Sequence, residues 1–327
     1  MALANVAWIL AANGHRVLVA DWDLEAPDLY KFFQPFVDAS IGNAPGIVDI
    51  IRRYEWSAVE AGIPPYDLES ESADSRQAAL QTVAALVNEH IERIRHHVLS
   101  LNWQFPRGGA VDYLSAGKQV NGDYQTILSA LNWDNFYDNL YGAQFFDALR
   151  IYFKREWDYV LIDSRAGLSD IADICTIHLP DVVVNCFTLS PPAVDGAARI
   201  AQMIQNHTHR DIRVLPVPTR IDDSEKGKSG TSLTSAARKF PELPEGMEEE
   251  ERRDYWASVA VPYRRAYSYE EMLAVFGDSP GSRTSLLYSF ERLTGYITNG
   301  AVTGLPPMDE KLRLKTKLLV TESGHGA

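Results

Sequence analysis

Short apolar runs that end in acidic residues or glycine recur along this chain, and they predict the strands of a sheet. The first is RVLVADWD, in which residues 17–20 are all apolar and acids follow directly. Runs of this kind are typical of strands that are covered on both faces of a parallel sheet. Four later stretches repeat the pattern: VDYLSAG (111–117), DYVLIDSRAG (158–167), DVVVNCFTLSPP (181–192) and IRVLPVPTRID (212–222).

Helical patterns lie between these runs. Residues 1–12 are apolar on nearly every side, which is typical of a buried helix, and Asn13-Gly14 supplies its stop. Strands that alternate with helices form βαβ units, so the chain predicts an α/β fold with a doubly wound, mostly parallel sheet and flanking helices. Further helical segments are predicted at about 76–99, 194–205, 269–277 and 285–297.

Two less regular stretches define the predicted domains. Residues 41–110 contain the polar run ESESADS and are interpreted as an insertion. Residues 223–254 are hydrophilic and contain several prolines and glycines, which predicts a flexible loop and linker. We therefore predict a nucleotide-binding core at 1–225 and a linker with a C-terminal helical portion, packing on the core, at 226–327.

The amino-acid composition bears on which kinds of binding partner are expected. The 327 residues are 46% hydrophobic, enough for a large core. The net charge of −13, from 31 basic and 44 acidic residues, does not favour bulk binding to nucleic acid or to an anionic membrane. Two cysteines make no disulfide framework, and no stretch approaches the ~20 apolar residues that span a bilayer. We expect a cytoplasmic protein without membrane contact.

Acidic residues follow several of the predicted strands. Asp21 and Asp23 follow the first apolar run, Asp163 ends the third and Asp222 follows the last. Parallel strands with right-handed crossovers bring their carboxyl ends to one edge, where ligands bind. Each acid alone is equally typical of a turn or a helix cap. Asp163 has Gly167 four residues later, which suits a Mg²⁺ ligand beside backbone that closes on a phosphate.

Taken in order, the motifs resemble the ParA/MinD family of ATPases, a SIMIBI-class branch of the P-loop NTPases with a deviant Walker A motif. MALANVAWILAANGHRVLVADWDLEAP resembles the stretch just after the phosphate loop, in particular in the variant group whose loop reads KGGVGR. DYVLIDSRAGLSD resembles the Walker B and switch II segment, and FTLSPPAVDGA and VPTRIDDSEK resemble later strands and the base-recognition loop. YSYEEMLAVFGD resembles the C-terminal portion, so the likeness covers most of the chain.

The resemblance implies roles for the residues at the strand ends. Asp23 would position the attacking water, and Asp163 would hold Mg²⁺ through water. Asp21 would support the Mg²⁺ shell, and Gly167 would give its N–H to the γ-phosphate. Asp23 and Asp163 are thus the candidate catalytic residues, and Asp163 and Asp21 the candidate metal residues.

The resemblance also implies a base-recognition segment at Arg220 and Asp222. Thr219 stands where the family more often has Asn. Arg165 stands where many relatives have Pro. Its guanidinium could reach a phosphate or a partner, and a surface ion pair is an equally good interpretation.

The family's first strand and phosphate loop would lie upstream of Met1. We therefore expect an N-terminally truncated core that lacks the P-loop and is inactive as printed, with Met1 an internal methionine. A genuine short protein that has lost nucleotide binding is the alternative. In either case two inner strands would keep unpaired backbone groups, each costing about 1–3 kcal/mol when buried.

The implied function is an ATP-hydrolysing molecular switch with ATP and Mg²⁺ as cofactors. It would form a homodimer when ATP is bound, and an unidentified protein partner would read that state. The alternative is a non-enzymatic interaction module that keeps the fold and binds a partner through residues 226–327. No G-x-G-x-x-G follows a strand and no G-x-S-x-G occurs, which disfavours a Rossmann dehydrogenase and an α/β-hydrolase.

Overall fold

A computed structural model describes residues 1–37, 41–63, 73–119, 123–165, 174–207, 210–222, 226–268 and 271–324. The helices are α1 Ala2–Ala12, α2 Ile47–Glu60, α3 Ala73–Glu92, α4 Tyr124–Ala130, α5 Trp133–Asn139, α6 Gly142–Glu156, α7 Pro191–His207, α8 Lys226–Ala237, α9 Glu249–Ser258, α10 Ala274–Gly277, α11 Leu286–Ile297 and α12 Glu310–Gly324. The strands are β1 Arg16–Trp22, β2 Val98–Ser100, β3 Ala110–Leu114, β4 Tyr159–Ser164, β5 Val182–Phe187 and β6 Arg213–Pro218.

The chain forms two compact units. One is Gly14–Leu179, and the other combines Met1–Asn13 with Pro180–Ala327. This grouping differs from the predicted core at residues 1–225, and that assignment of domains stays a prediction.

The unit Gly14–Leu179 contains a four-stranded sheet in the order β2-β3-β1-β4. β1 runs parallel to both β3 and β4, and only β2 is antiparallel, to β3. The register sets Asp21 of β1 opposite Asp163 of β4. Within the described residues β4 is the last strand of this sheet, and all six of its residues are half-buried.

Aromatic side chains form much of the core of this unit. The ring of Tyr54 on α2 lies 4.8 Å from that of Phe145 on α6, and Phe136 lies 5.6 Å from Phe146. The Tyr54 hydroxyl is satisfied by donating to the carbonyl of Leu140 at 2.8 Å. These contacts fix α2 and α6 in the core that lies against β1.

The unit of Met1–Asn13 and Pro180–Ala327 contains the parallel pair β5 and β6. Helix α7 packs on both strands. Helix α1 is almost wholly buried and packs against α10 and α11, where the ring of Trp8 meets that of Phe276 at 4.9 Å. The Asn13 N–H donates to the carbonyl of Leu10 at 3.0 Å and ends α1. The predicted helix and its end at Asn13 are therefore confirmed.

The predicted mostly parallel sheet with flanking helices is confirmed, with the described strands hydrogen-bonded as two sets of four and two. The prediction of a loop and linker at 223–254 is wrong in part, because α8 and α9 form there. Three acids at residues 249–251 favour the start of α9, and buried Tyr255 and Trp256 anchor it. Of the predicted helix at 269–277, Ala274–Gly277 is helical, and residues 269–270 lie outside the described part.

None of the described helices combines the length and the apolar character needed to cross a membrane.

Candidate functional site

Two carboxyl groups face each other at the ends of adjacent strands in the unit Gly14–Leu179. Asp21 is the sixth residue of β1, and its register partner on β4 is Asp163. Asp21 is fully buried, and Asp163 is half-buried. The strands are parallel, so their carboxyl ends share one edge of the sheet, as the sequence predicts.

Two hydrogen bonds hold the Asp21 carboxyl. The backbone N–H of Asp23 donates to its Oδ1 at 3.3 Å, and the Tyr113 hydroxyl donates to its Oδ2 at 3.4 Å. Tyr113 lies on β3 and is fully buried. Burial and the nearby charge of Asp21 raise the pKa of Tyr113, so the hydroxyl stays a donor. The carboxyl is therefore fixed in position although it is buried.

The electrostatics of this edge favour a cation. Burial and, next, the charge of Asp163 raise the pKa of Asp21 to about 7. Burial also raises the pKa of Asp163, and the negative charges of Asp28 and Asp23 act in the same direction. Acids that repel each other in this way are stabilised in the ionised form by a bound cation.

The loop after β1 is held close to these acids. The N–H of Ala26 donates to Oδ1 of Asp23 at 3.4 Å, which folds the loop back on itself. The Tyr124 hydroxyl donates to the carbonyl of Leu24 at 2.8 Å. Glu25 forms an ion pair with Arg165, the residue after β4, and both side chains are exposed. Of the two interpretations of Arg165, the ion pair is the one found.

A cavity of ≈ 320 Å³ opens beside this loop. Its lining comes from the loop after β1, from the stretch before α4 and from α4 itself: Glu25, Ala26, Pro27, Gln119, Tyr124 and Gln125. The side-chain nitrogen of Gln119 is buried and has no hydrogen-bond partner. A ligand with an acceptor oxygen would satisfy it.

The predicted base-recognition residues lie in the other unit. Arg220 is exposed and has a left-handed backbone with φ 57°, and Asp222 is exposed two residues later. Thr219 fixes this turn to β5, since its N–H donates to the carbonyl of Phe187 at 2.7 Å. Gly167, the predicted γ-phosphate contact, lies outside the described residues. The structure therefore brings Asp21, Asp23 and Asp163 together within one unit.

The acids are suited to a Mg²⁺ ion whose other ligands are water and phosphate, rather than to a metal ion held by protein ligands alone. Within the described ranges, no group of three or more His, Cys, Asp or Glu side chains has the geometry of a metal site. Mg²⁺ commonly takes one or two carboxylates and fills its remaining positions with water and phosphate oxygens. Asp21 and Asp163 fit that donor set. The described residues do not include a phosphate-binding loop of the family's kind. They therefore fit the Mg²⁺ ion that accompanies a nucleotide, and they do not include the groups that would bind its phosphates.

Sequence reasoning missed three residues at this edge: Tyr113, Asp28 and Gln119. Tyr113 stands within the predicted strand VDYLSAG, and the register of β1 and β3 would have been needed to set it beside Asp21. Asp28 lies within seven residues of Asp21, but a loop acid gives no periodic signal. Nothing in the sequence marks Gln119.

Comparison with known proteins shows which fold family the structure resembles. No protein-family model matches the sequence, and no curated protein matches it either. Solved structures do match: a ParA family ATPase from Chlorobium tepidum TLS superposes with a TM-score of 0.51 at 13% identity, covering 89% of this chain and 92% of that one. The cell division ATPase MinD of Pyrococcus furiosus matches at 14% identity with a TM-score of 0.47, covering 92% of each chain. With these β-α elements, in this order and over nine-tenths of its length, the chain has the fold of the ParA/MinD ATPases.

Proposed function

We propose that this chain is an ATP-binding and ATP-hydrolysing molecular switch of the ParA/MinD type. The observation that carries the proposal is the facing pair of Asp21 and Asp163, whose pKa values are raised by burial and by neighbouring acids. Mg²⁺ supplies positive charge that stabilises such a pair in the ionised form. The fold shared with the Chlorobium ATPase supports the same function.

Each acid has a distinct task in this proposal. Asp163 and Asp21 hold Mg²⁺ through water, and Asp23, half-buried two residues after Asp21, orients the attacking water. Bound Mg²⁺ neutralises the charge on the phosphates, and phosphoryl transfer needs little beyond such neutralisation and positioning. Tyr113 keeps Asp21 fixed by donating to Oδ2.

The remaining candidates keep, in this proposal, the roles that the resemblance implies. Gly167 gives its N–H to the γ-phosphate, and Arg220 and Asp222 recognise the base. Mg-ATP closes two copies of the chain into a dimer, and an unidentified cytoplasmic protein reads the closed state. Hydrolysis then opens the dimer.

The test combines binding and turnover. Mg-ATP should raise the melting temperature of a chain extended by the family's KGGVGR-like phosphate loop ahead of residue 1, and ATP hydrolysis by that extended chain should fall to background in Asp163→Ala and in Asp23→Ala. Asp134→Ala is the matched control, because Asp134 is exposed in the first turn of α5 and far along the chain from the pair. Normal hydrolysis by Asp163→Ala would show the site assignment to be wrong.

A second candidate function is a non-enzymatic interaction module. Helix α12 favours it, because four of its leucines are exposed by 42 to 64%: Leu312, Leu314, Leu318 and Leu319. Exposed apolar side chains at this density are typical of protein interaction sites. If Mg-ATP leaves the melting temperatures of the printed chain and of the extended chain unchanged while Leu318→Gln abolishes binding to a partner, the module is the function.

A further inference from the structure

The outward face of helix α2 carries apolar side chains that the fold leaves in solvent. Trp56 and Val59 are 67% and 68% exposed, the highest fractions among the large apolar side chains that the structure describes. On the opposite face of the helix, Ile51 and Tyr54 are fully buried in the core. An exposed tryptophan is typical of the centre of a protein interface, where this residue type contributes most to binding.

Charged side chains flank Trp56 in a regular arrangement. Arg53 and Glu60 are seven residues apart, and Arg52 and Val59 have the same spacing. Seven residues fall within about 20° of two full helical turns, so each pair forms a stripe along the helix, one on each side of Trp56. All four flanking side chains are exposed. One stripe therefore carries both signs of charge, and the other carries a positive and an apolar side chain.

The charged groups of this face form no ion pair within the described part of the chain. The ion pairs that the structure describes in this unit do not include Arg52, Arg53 or Glu60. Helix α3 packs on a different side of α2, where the Ser57 hydroxyl lies 3.2 Å from Nε2 of His90. The outward face of α2 is thus open to a partner outside the chain.

Two copies of this face are complementary when the helices pack antiparallel about a two-fold axis at Trp56. Residues that lie on the same side of Trp56, about equally far before and after it, then meet across the interface. Arg53 lies three residues before Trp56, and it meets Glu60 of the second copy, four residues after the tryptophan. The stem of Arg52 packs on Val59 of the second copy, and the two tryptophan rings meet at the axis. The two-fold repeats each contact, so the pair contains two ion pairs.

We propose that α2 is a self-association surface, on which two copies of this chain pair antiparallel through Trp56 with reciprocal ion pairs between Arg53 and Glu60. A second copy fits better than other partners, because the face carries both signs of charge. An acidic peptide, a nucleic acid or an anionic membrane would attract the arginines and repel Glu60. The contact needs no nucleotide, so it is distinct from the ATP-driven dimer of the proposed function and does not depend on it.

Sedimentation equilibrium of the 327-residue chain without nucleotide tests the proposal. One helix pair covers less than the roughly 1,200 Å² of a standard interface, so we expect a weak dimer with a Kd on the order of 10–100 μM. Trp56→Ala should raise this Kd at least about tenfold. Ile151→Ala is the matched control, since Ile151 is 66% exposed on α6 of the same unit, and it should leave the Kd unchanged.

Charge reversal tests the pairing itself. Arg53→Glu and Glu60→Arg should each raise the Kd at least about tenfold, because both ion pairs become repulsions. The double variant Arg53→Glu/Glu60→Arg should regain the parent Kd, and an equimolar mixture of the two single variants should form a heterodimer, since their charges are complementary.

Circular dichroism checks that these surface variants fold, and if a charge variant does not, the comparison of Trp56→Ala with Ile151→Ala still decides. A parent chain that stays monomeric up to about 500 μM would overturn the proposal. So would a Kd that Trp56→Ala leaves unchanged, or folded charge variants that regain association neither in the double variant nor in the mixture.

Discussion

The buried carboxyl of Asp21 makes a distinct contribution to the pH response of this protein. It is fully buried, faces Asp163 and receives its hydrogen bonds from Tyr113 and from the backbone of Asp23. Its pKa is raised from 3.8 to about 7. Between those values the folded chain keeps a proton that the unfolded chain releases, so the contribution of this group to stability is complete below about pH 4 and is lost as the pH rises to about 7.

Asp21→Asn should remove this dependence, because the amide has no charge to bury. The difference in unfolding free energy between pH 4 and pH 7 should shrink by up to about 4 kcal/mol, as expected from 1.36 kcal/mol for each pH unit. Urea unfolding at a series of pH values measures it. Asp134→Asn, on an exposed acid, should keep the slope of the parent protein. A slope that survives in Asp21→Asn would mean that another group causes it.

Single residues are also where sequence reasoning reached its limit. Asp21, Asp23 and Asp163 were predictable, since each follows an apolar run and parallel strands share their carboxyl edge. The contact of Tyr113 with Asp21 depends on the register between β1 and β3, and no local pattern encodes that register. The position of Arg220 relative to the acids likewise depends on long-range contacts, and no local sequence pattern predicts it.

At the scale of elements, α2 is fixed to the sheet through its first turn. The N–H groups of Ile47 and Val48 donate to the carbonyls of Ser115 and Ala116, each at 2.9 Å. Gly46 precedes them, and a Cβ at this position would overlap the carbonyl oxygen of Ser115. The helix can approach the end of β3 only because residue 46 has no side chain.

Gly46→Ala should therefore destabilise the protein by about 1–3 kcal/mol, since the backbone must move to admit a methyl group. Gly196→Ala is the matched control: Gly196 lies within α7, and a Cβ there meets no atom within 4 Å. That change should stabilise by about 0.5–1 kcal/mol through helix propensity. Denaturant unfolding compares the two, and an equal effect of both substitutions would contradict the close approach.

The elements themselves were largely predictable, and their exceptions have physical reasons. Continuous apolar runs marked β1, β3, β4, β5 and β6 without ambiguity. β2 has three residues, Val98–Ser100, too few for a periodic signal. The start of α9 lies in the predicted linker because residues 223–254 are hydrophilic and contain several prolines and glycines, although acids at a helix start are stabilising. Burial of Tyr255 and Trp256, which fixes α9, is a tertiary effect.

At the scale of the whole molecule, helix α1 belongs to a unit whose other residues begin at Pro180. Its Trp8 is fully buried against Phe276, whereas Trp56 on α2 is 67% exposed. Trp8→Ala should cost about 3–5 kcal/mol, the amount typical of removing a large core side chain. Trp56→Ala should change stability by less than about 0.5 kcal/mol. Unfolding followed by circular dichroism checks both, and a small effect at Trp8 would count against the packing of α1.

The burial of α1 against α10 and α11 has a consequence for how the protein is made. A ribosome synthesises α1 long before it reaches Phe276, so the nascent helix carries its apolar surface uncovered while Gly14–Leu179 emerges and closes first. Contacts between stretches so distant in the sequence form slowly, and the intermediates that precede them expose apolar surface and are prone to aggregate. Synthesis of this protein should therefore depend on chaperones that shield α1 until the residues that form α10 and α11 have been translated.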